Sequence, residues 1–310
     1  MALRPSISFI VPCFKQANYL LDCLSSLLSQ SRTDWEAIVI DDASPDGREI
    51  EKVIQAFDDP RIRLVQHEVN KGLAAARNTG ARAAKSDYLA FVDADDYVAP
   101  DLCQLTVTCL DEAPDLDVVY GSLRLFGDVQ ADHRARGTST ELQLKLRYWI
   151  PGAGVVMRYW VWEAAGGYCE APLLRTGMED RDFWIATIPL AIGVAHIPKP
   201  LYYWRKYDGS MSTGQEKHYY RLHRFIAKRH AVVLKALNLY DDYLATGYSL
   251  SAEAFLREDK WLFSLCLALG GLLRDPGNRR LRTLLVRSLP VPFLRTLSRR
   301  IYGRLKSASR

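Results

Sequence analysis

Two periodicities divide the chain. In the first hundred residues, short apolar runs alternate with stretches whose apolar positions recur every three to four residues. Residues 7–11, 37–40, 62–65 and 88–92 are too short for helices and predict buried strands, the first stopped by Pro12. Asn18 stands where a helix cap belongs, ahead of Leu20, Leu21, Leu24, Leu27 and Leu28 at helical spacing. Residues 49–57 predict a second helix, and residues 73–84 an alanine-rich third one opened by Gly72. Strands at this spacing with helices between them predict βαβ units and a parallel sheet. Such sheets bind ligands at the carboxyl ends of their strands. Two strands here end in acids, Asp41-Asp42 and Asp93-Ala-Asp95-Asp96.

Beyond residue 125 the pattern changes. Residues 127–140 are polar and aperiodic and predict a loop. Residues 142–203 mix aromatic-rich strands with short helices, and residues 206–216 predict a second loop with Gly209 and Gly214. From residue 217 the pattern is helical, over 217–239 and 252–273, followed by a basic helical stretch broken near Pro290 and Pro292. There is no internal repeat.

Length and composition fit one large domain, or one domain with a smaller partner: 310 residues, 48% hydrophobic and 25% charged. The formal charge of +5 is uneven. Eleven Lys and Arg face one Asp between Arg274 and Arg310, so a slightly acidic body carries a strongly basic tail. That asymmetry points to an anionic partner, membrane or nucleic acid. In the tail, Leu281, Leu284, Leu285, Leu289, Phe293, Leu294, Leu297, Ile301 and Leu305 recur at near-helical spacing among arginines. This suits either the plane of a membrane surface or packing on the body. The six cysteines include no C-x-x-C pair and read as reduced thiols. No signal-peptide cleavage site follows the N-terminus, and the apolar stretch 261–273 is too short to span a bilayer. A cytoplasmic location is expected, peripheral at the inner face of the membrane.

Three carboxylates in four residues repel one another unless something compensates them. A divalent cation does so, since hard cations prefer carboxylate oxygen. A solvated acidic turn is the alternative for an Asp-x-Asp taken alone. Between the acidic strand ends lies Asn70-Lys-Gly72, opening a helix with a cation at its entrance, which suits an anionic ligand.

Together these segments resemble the family 2 glycosyltransferases: Ser8-Phe-Ile-Val-Pro-Cys-Phe14, Asp41-Asp-Ala-Ser44, Asn70-Lys-Gly72, Ala76-Arg-Asn-Thr-Gly80 and Phe91-Val-Asp-Ala-Asp-Asp96. The resemblance covers residues 6 to about 215 and implies a GT-A fold, a Rossmann-like α/β mixed sheet flanked by helices. It implies a GT-A domain over 1–215, with a nucleotide-sugar half to about 125 and an acceptor half after it. A helical C-terminal region would occupy 216–310. It also implies an inverting hexosyl- or N-acetylhexosaminyltransferase with a nucleotide-diphosphate sugar donor, most often UDP-linked. By the same resemblance Pro12 supports the nucleotide, Asp42 faces the base, and Lys71 lies by the base or phosphates. Asp93 faces the ribose and metal, and Asp95 is the direct ligand of magnesium or manganese.

Inverting transfer needs a carboxylate to take the acceptor's proton. Thr176-Gly-Met-Glu179-Asp180-Arg-Asp182-Phe-Trp184 resembles the family's Glu-Asp motif. Asp180 is then the expected base, and Glu179 supports the acceptor or orients the site, although helix N-termini favour acids in any case. Tyr202-Tyr-Trp-Arg205-Lys-Tyr207-Asp-Gly-Ser210-Met-Ser212 resembles a loop that folds over the diphosphate, with Arg205, Ser210 and Ser212 as donors. It departs from the family at Tyr207, where a metal-binding His is common. Trp149, Gly152 and Tyr168 lie where family members contact the acceptor sugar, although such aromatics also build cores. The expected acceptor is a glycan or lipid-linked glycan of a cell-surface polysaccharide.

Three rival functions fit these residues less well. A dinucleotide-dependent oxidoreductase needs G-x-G-x-x-G after the first strand, where the chain has Pro12-Cys-Phe-Lys-Gln. A nucleotidyltransferase has no need of Glu179-Asp180 with Arg205. A nucleic-acid-binding protein using the basic tail leaves the acids unexplained, so no nucleic acid partner is expected.

Overall fold

Strands β1 (Ile7–Cys13) and β2 (Trp35–Asp41) are buried along their whole length, as short apolar runs in a sheet covered on both faces must be. They belong to a computed structural model that describes residues 5–133, 150–207 and 215–289 of the chain. The chain divides into two compact units between residues 210 and 211.

In the first unit the order continues with α1 (Ala17–Leu28), α2 (Gly47–Phe57), β3 (Ile62–Gln66), α3 (Leu73–Ala83), β4 (Tyr88–Phe91), β5 (Tyr97–Val98) and α4 (Leu102–Glu112). After these come β6 (Val118–Gly127), β7 (Ala131–His133), β8 (Val155–Arg158), α5 (Tyr159–Ala164), α6 (Glu179–Ala186) and β9 (Val194–Lys206). The strands lie in the order β3-β2-β1-β4-β8-β6-β9-β5, with β7 beside β6. The first four are parallel, and β8 runs antiparallel to both β4 and β6. Alternate side chains serve opposite faces. Phe9 and Val11 pack with Leu20, Leu24 and Leu27 of α1, whereas Ile10, Ile38 and Ile40 pack with Ala74, Ala76 and Ala81 of α3.

Two local expectations are corrected. Helix α1 starts at Ala17, so Asn18 lies inside its first turn. Gln16 holds the cap position, and Ala17 N donates to Asp46 Oδ2 at 3.2 Å. The segment after residue 127 begins as a hairpin, with β7 pairing back on β6 and Arg124 facing Asp132 at 2.8 Å. Its outer residues are exposed, and a polar cross-strand pair supplies what hydrophobic alternation would otherwise signal.

The second unit holds α7 (Tyr219–Arg229), α8 (Ala231–Ala236), α9 (Tyr240–Arg257), α10 (Trp261–Leu272) and α11 (Arg279–Arg287). The helix expected over 217–239 is two, parted at His230. The one expected over 252–273 begins earlier, at Tyr240, and breaks at Asp259, whose φ of 58° is left-handed. Ala245, Ala252, Ala268, Leu281 and Leu284 form the core of this unit. No helix among the described residues is long and apolar enough to cross a membrane.

Candidate functional site

The carboxyl ends of β1, β2 and β4 meet at one sheet edge, which collects the acidic motifs. Pro12 is buried in β1 beside Ile40. Asp42, just past β2, is 3% exposed and turned inward. Its Oδ1 accepts from His67 Nδ1 at 2.7 Å and Lys71 N at 2.8 Å, and its Oδ2 accepts from Gly72 N at 2.7 Å. The acid expected at the nucleotide base therefore also ties residues 67–72 to the sheet edge. Gly72, at φ 92° and ψ 165°, takes a backbone conformation almost confined to glycine as it opens α3. The Lys71 side chain is exposed at this turn. His67, whose Nε2 lies 2.9 Å from Thr79 Oγ1, had no signal in the sequence beyond a lone histidine in a polar stretch.

The three acids after β4 have separate tasks. Asp93 Oδ1 accepts from Arg77 Nη2 at 2.9 Å. Asp95 Oδ2 accepts from the Tyr207 hydroxyl at 3.0 Å. Asp96, 1% exposed, accepts from Tyr202 OH at 2.6 Å and Arg205 N at 2.7 Å, anchoring the end of β9. Burial and the neighbouring Asp93 charge push Asp95 up to about 6, against the opposing Tyr207 bond. Burial, then Asp95 and Asp93, also raise Asp96. Among the described residues no cluster of three or more His, Cys, Asp or Glu surrounds one point. The donor set nonetheless fits a hard cation: two hard-oxygen carboxylates, both half-buried, with substrate phosphates free to complete the shell.

Arg205 is more engaged than its expected role implied. Its Nε donates to the Asp95 carbonyl at 2.8 Å and its Nη2 to Asp22 at 2.8 Å, and its plane covers Tyr19 and Phe126. Ser210, Ser212 and Trp149 lie outside the described residues.

The second pair of acids comes from α6. Met178, at φ 69°, turns the chain sharply just before Glu179 and Asp180. Such left-handed non-glycine residues are strained and concentrate at functional sites. Glu179 is buried and receives Arg77 Nη1 at 2.7 Å. Arg77 thus bridges Asp93 and Glu179, which are far apart in sequence. Burial disfavours the Arg77 charge, but Asp93 and Glu179 more than offset this and hold its pKa above its ordinary value. Its Nε is buried without a hydrogen-bond partner. Arg77 serves Asp93 and Glu179, and Arg181 offsets part of the Asp180 charge, so three acids share two guanidinium groups. Burial foremost, with this mutual repulsion, raises both Glu179 and Asp180. Asp180 keeps part of its surface open and accepts from Arg181 N at 2.7 Å. Gly152 lies against it: a Cβ there would sit 2.9 Å from Asp180 Cβ. Trp184 Nε1 donates to Pro151 O at 3.3 Å, holding that approach.

Tyr168 is corrected from an acceptor platform to a core residue. It is 3% exposed, stacked on Phe183 at 4.6 Å with Phe91 at its edge, so no sugar reaches its faces. Arg77 and Asn78 lie in the Ala76–Gly80 motif, whose sequence does not reveal the partners the fold gives them. Asn78 clamps the segment around Tyr168. Its Nδ2 donates to Tyr168 O and Glu170 Oε1, and its Oδ1 accepts from Tyr168 N and Trp162 Nε1, all within 3.1 Å.

A mixed α/β sheet with paired acids at its carboxyl edge is the architecture of GT-A nucleotide-sugar enzymes. Residues 8–165 match Glycosyl transferase family 2, and the chain belongs to that family. Its fold is like that of S. aureus TarS 1–349 in complex with UDP-GlcNAc (TM-score 0.67, 19% identity, covering 90% of this chain and 84% of that one). In sequence it is similar to the uncharacterized glycosyltransferase EpsJ of Bacillus subtilis strain 168, 40% identical over 37% of this chain and 33% of that protein. It is also similar to the succinoglycan biosynthesis protein ExoO of Rhizobium meliloti strain 1021, 33% identical over 41% of this chain and 38% of that one. The match therefore spans a third or slightly more of the length of these relatives.

Proposed function

We propose that the chain is an inverting glycosyltransferase of polysaccharide biosynthesis. It moves a sugar from a nucleotide-diphosphate donor, UDP-linked, to a hydroxyl of a glycan or lipid-linked glycan. The observation that carries this reading is Arg77, which draws the acids of the nucleotide edge and the acids of α6 into one cluster through Asp93 and Glu179. Family membership and the similarity to ExoO support the polysaccharide setting, and the UDP-GlcNAc bound to TarS supports the donor class.

In this reading the acceptor oxygen forms a bond to the anomeric carbon while the bond from that carbon to the diphosphate oxygen breaks. The bonding pair leaves with the diphosphate. The acceptor's proton passes to Asp180, whose raised pKa and partial exposure suit a base that must be reached by substrate. Glu179, fixed by Arg77, orients the acceptor. Asp95 with Asp93 would hold magnesium or manganese, which supplies Lewis-acid neutralisation of the leaving diphosphate. Pro12, Asp42 and Lys71 bound the nucleotide, and Arg205, Ser210 and Ser212 the phosphates. Tyr207, at the position of a common metal-binding His, instead steadies Asp95 through its hydroxyl. The arginine-rich end, 274–310, meets an anionic membrane surface, and release of the full chain from anionic vesicles by salt tests that partner.

A donor screen tests the activity. The purified chain is given UDP-, GDP- and TDP-sugars, and free nucleotide diphosphate is read. Release from a UDP-sugar that accelerates with a glycan acceptor is expected. No release from any donor, with nucleotide binding intact, would overturn the reading.

A further inference from the structure

Helix α10 is packed the wrong way round for a helix in water. Its buried residues are the small ones, Ser264, Ala268 and Gly271. Ser264 meets Ser288 across a buried 2.7 Å hydrogen bond, and Gly271 lies against Leu281 and Tyr248. Leu267 and Leu272 pack at the border of the core, but most of the large apolar residues face outward. Leu262, Cys266, Leu269 and Leu273 form one stripe at spacings of four, three and four residues, with Trp261 and Phe263 widening its first turn. Phe263 is 60% exposed and Leu273 84%. No charged residue occurs anywhere in the helix. Surface helices ordinarily turn such a stripe to the core, and a contiguous apolar patch left outside marks an interaction site.

Charge identifies the partner. The same unit carries Arg274, Arg279, Arg280, Arg282 and Arg287 against Asp275 over residues 274–289, with Arg279, Arg280, Arg282 and Arg287 exposed on α11. Arg280 pairs with Glu253. A second copy of the chain would bring the same excess of positive charge toward this face. An anionic lipid leaflet brings the opposite sign together with an apolar layer beneath it. At about 18 Å, from about 1.5 Å per residue, the twelve-residue helix is too short to cross a bilayer but suited to lying in its surface.

We propose that the outward face of α10 inserts into the headgroup–acyl boundary of an anionic membrane, with the arginines of α11 drawing it there. The proposal rests on the reading that the arginine-rich end meets a membrane, and is independent of the transferase reading. Long-range attraction by arginines is screened by salt, whereas buried apolar area is not. The two contributions therefore separate in one experiment.

The full chain is sedimented with vesicles of phosphatidylglycerol and phosphatidylethanolamine, and with pure phosphatidylcholine vesicles, at low and high salt. Alongside it, Leu269→Gln/Leu273→Gln is measured after circular dichroism has established that its unfolding temperature is unchanged. The parent should bind the anionic vesicles and keep a salt-resistant fraction. The variant should lose that fraction, its high-salt partition falling about tenfold or more for two leucines. An environment-sensitive dye on Cys266 should brighten with anionic vesicles, with Cys266→Ser as the unlabelled control. Equal salt-resistant binding by parent and variant, a dye that never brightens, or a parent dimer that the variant dissolves overturns the proposal. Complete release of the parent by salt also overturns it, while leaving the arginine contact standing.

Discussion

Replacing Arg77 removes the one guanidinium that holds acids from two parts of the chain together. Arg77→Met keeps most of the side-chain volume and leaves the carboxylates of Asp93 and Glu179 without their donor. Removing one partner of a buried ion pair costs about 3–5 kcal/mol, because the remaining charge is buried alone. For a domain of about 200 residues, 3 kcal/mol lowers the unfolding temperature by roughly 6–12 °C. The loss also depends on pH, with a definite sign. Glu179 already titrates higher in the folded chain than in the unfolded one, through burial. Above the unfolded value the folded state binds the extra proton, so stability falls as pH rises toward the folded value. Without Arg77 that folded value climbs further, so the deficit of Arg77→Met should be larger at pH 8 than at pH 6. Arg77→Lys keeps the charge but not the two-armed fork, and should recover part of the unfolding temperature while turnover stays low. Thermal unfolding by circular dichroism at both pH values, with turnover alongside, gives the comparison. An Arg77→Met chain that unfolds within about 2 °C of the parent at pH 8 would refute the bridge as an energetic element.

Asp180→Asn should lower transfer by about 10²- to 10⁴-fold with donor affinity unchanged, because only the proton acceptor is lost. The parent should lose turnover as pH falls through the raised Asp180 pKa, a limb lying above the usual carboxylate range, and the variant should lack it. Normal turnover in Asp180→Asn with a dead Glu179→Gln would move the base to Glu179. Asp95→Ala should abolish the dependence of donor binding on divalent cation, and calorimetry with and without EDTA checks it; equal affinity in both conditions for the parent removes the metal from the reading. Gly152→Ala places a methyl group 2.9 Å from Asp180 Cβ and should lower turnover several-fold without weakening donor binding. A kinetically normal Gly152→Ala would show that Asp180 has room to spare.

The parallel half of the sheet was legible because its inner strands, β1, β2 and β4, are buried. Runs such as Phe9–Val11 and Ala37–Ile40 are buried on both faces, so hydrophobicity alone marks them. The GT-A fold followed from the order and spacing of motifs along that half. The hairpin of β6 and β7 was not legible, since the part-exposed outer half of β6, paired to β7 with Arg124 facing Asp132, carries no hydrophobic alternation. Nor was the break at Asp259, an exposed left-handed residue between two helical patterns. At the site, acids could be picked out by type and position, but their partners could not. Arg77 reads as a polar residue in an alanine-rich helix until the fold brings Glu179 to it. Tyr168 reads as a sugar platform until Phe91 and Phe183 are seen to cover it. The outward stripe of α10 looked like an ordinary apolar run, because sequence gives its periodicity but not which side faces the core.

The stereochemistry of transfer tests the central claim most directly. With an α-linked UDP-sugar selected by the donor screen, proton NMR of the first product formed reads the configuration at the transferred anomeric carbon. Direct displacement with Asp180 as base predicts a β-linked product from the first turnover. An α-linked product would contradict it.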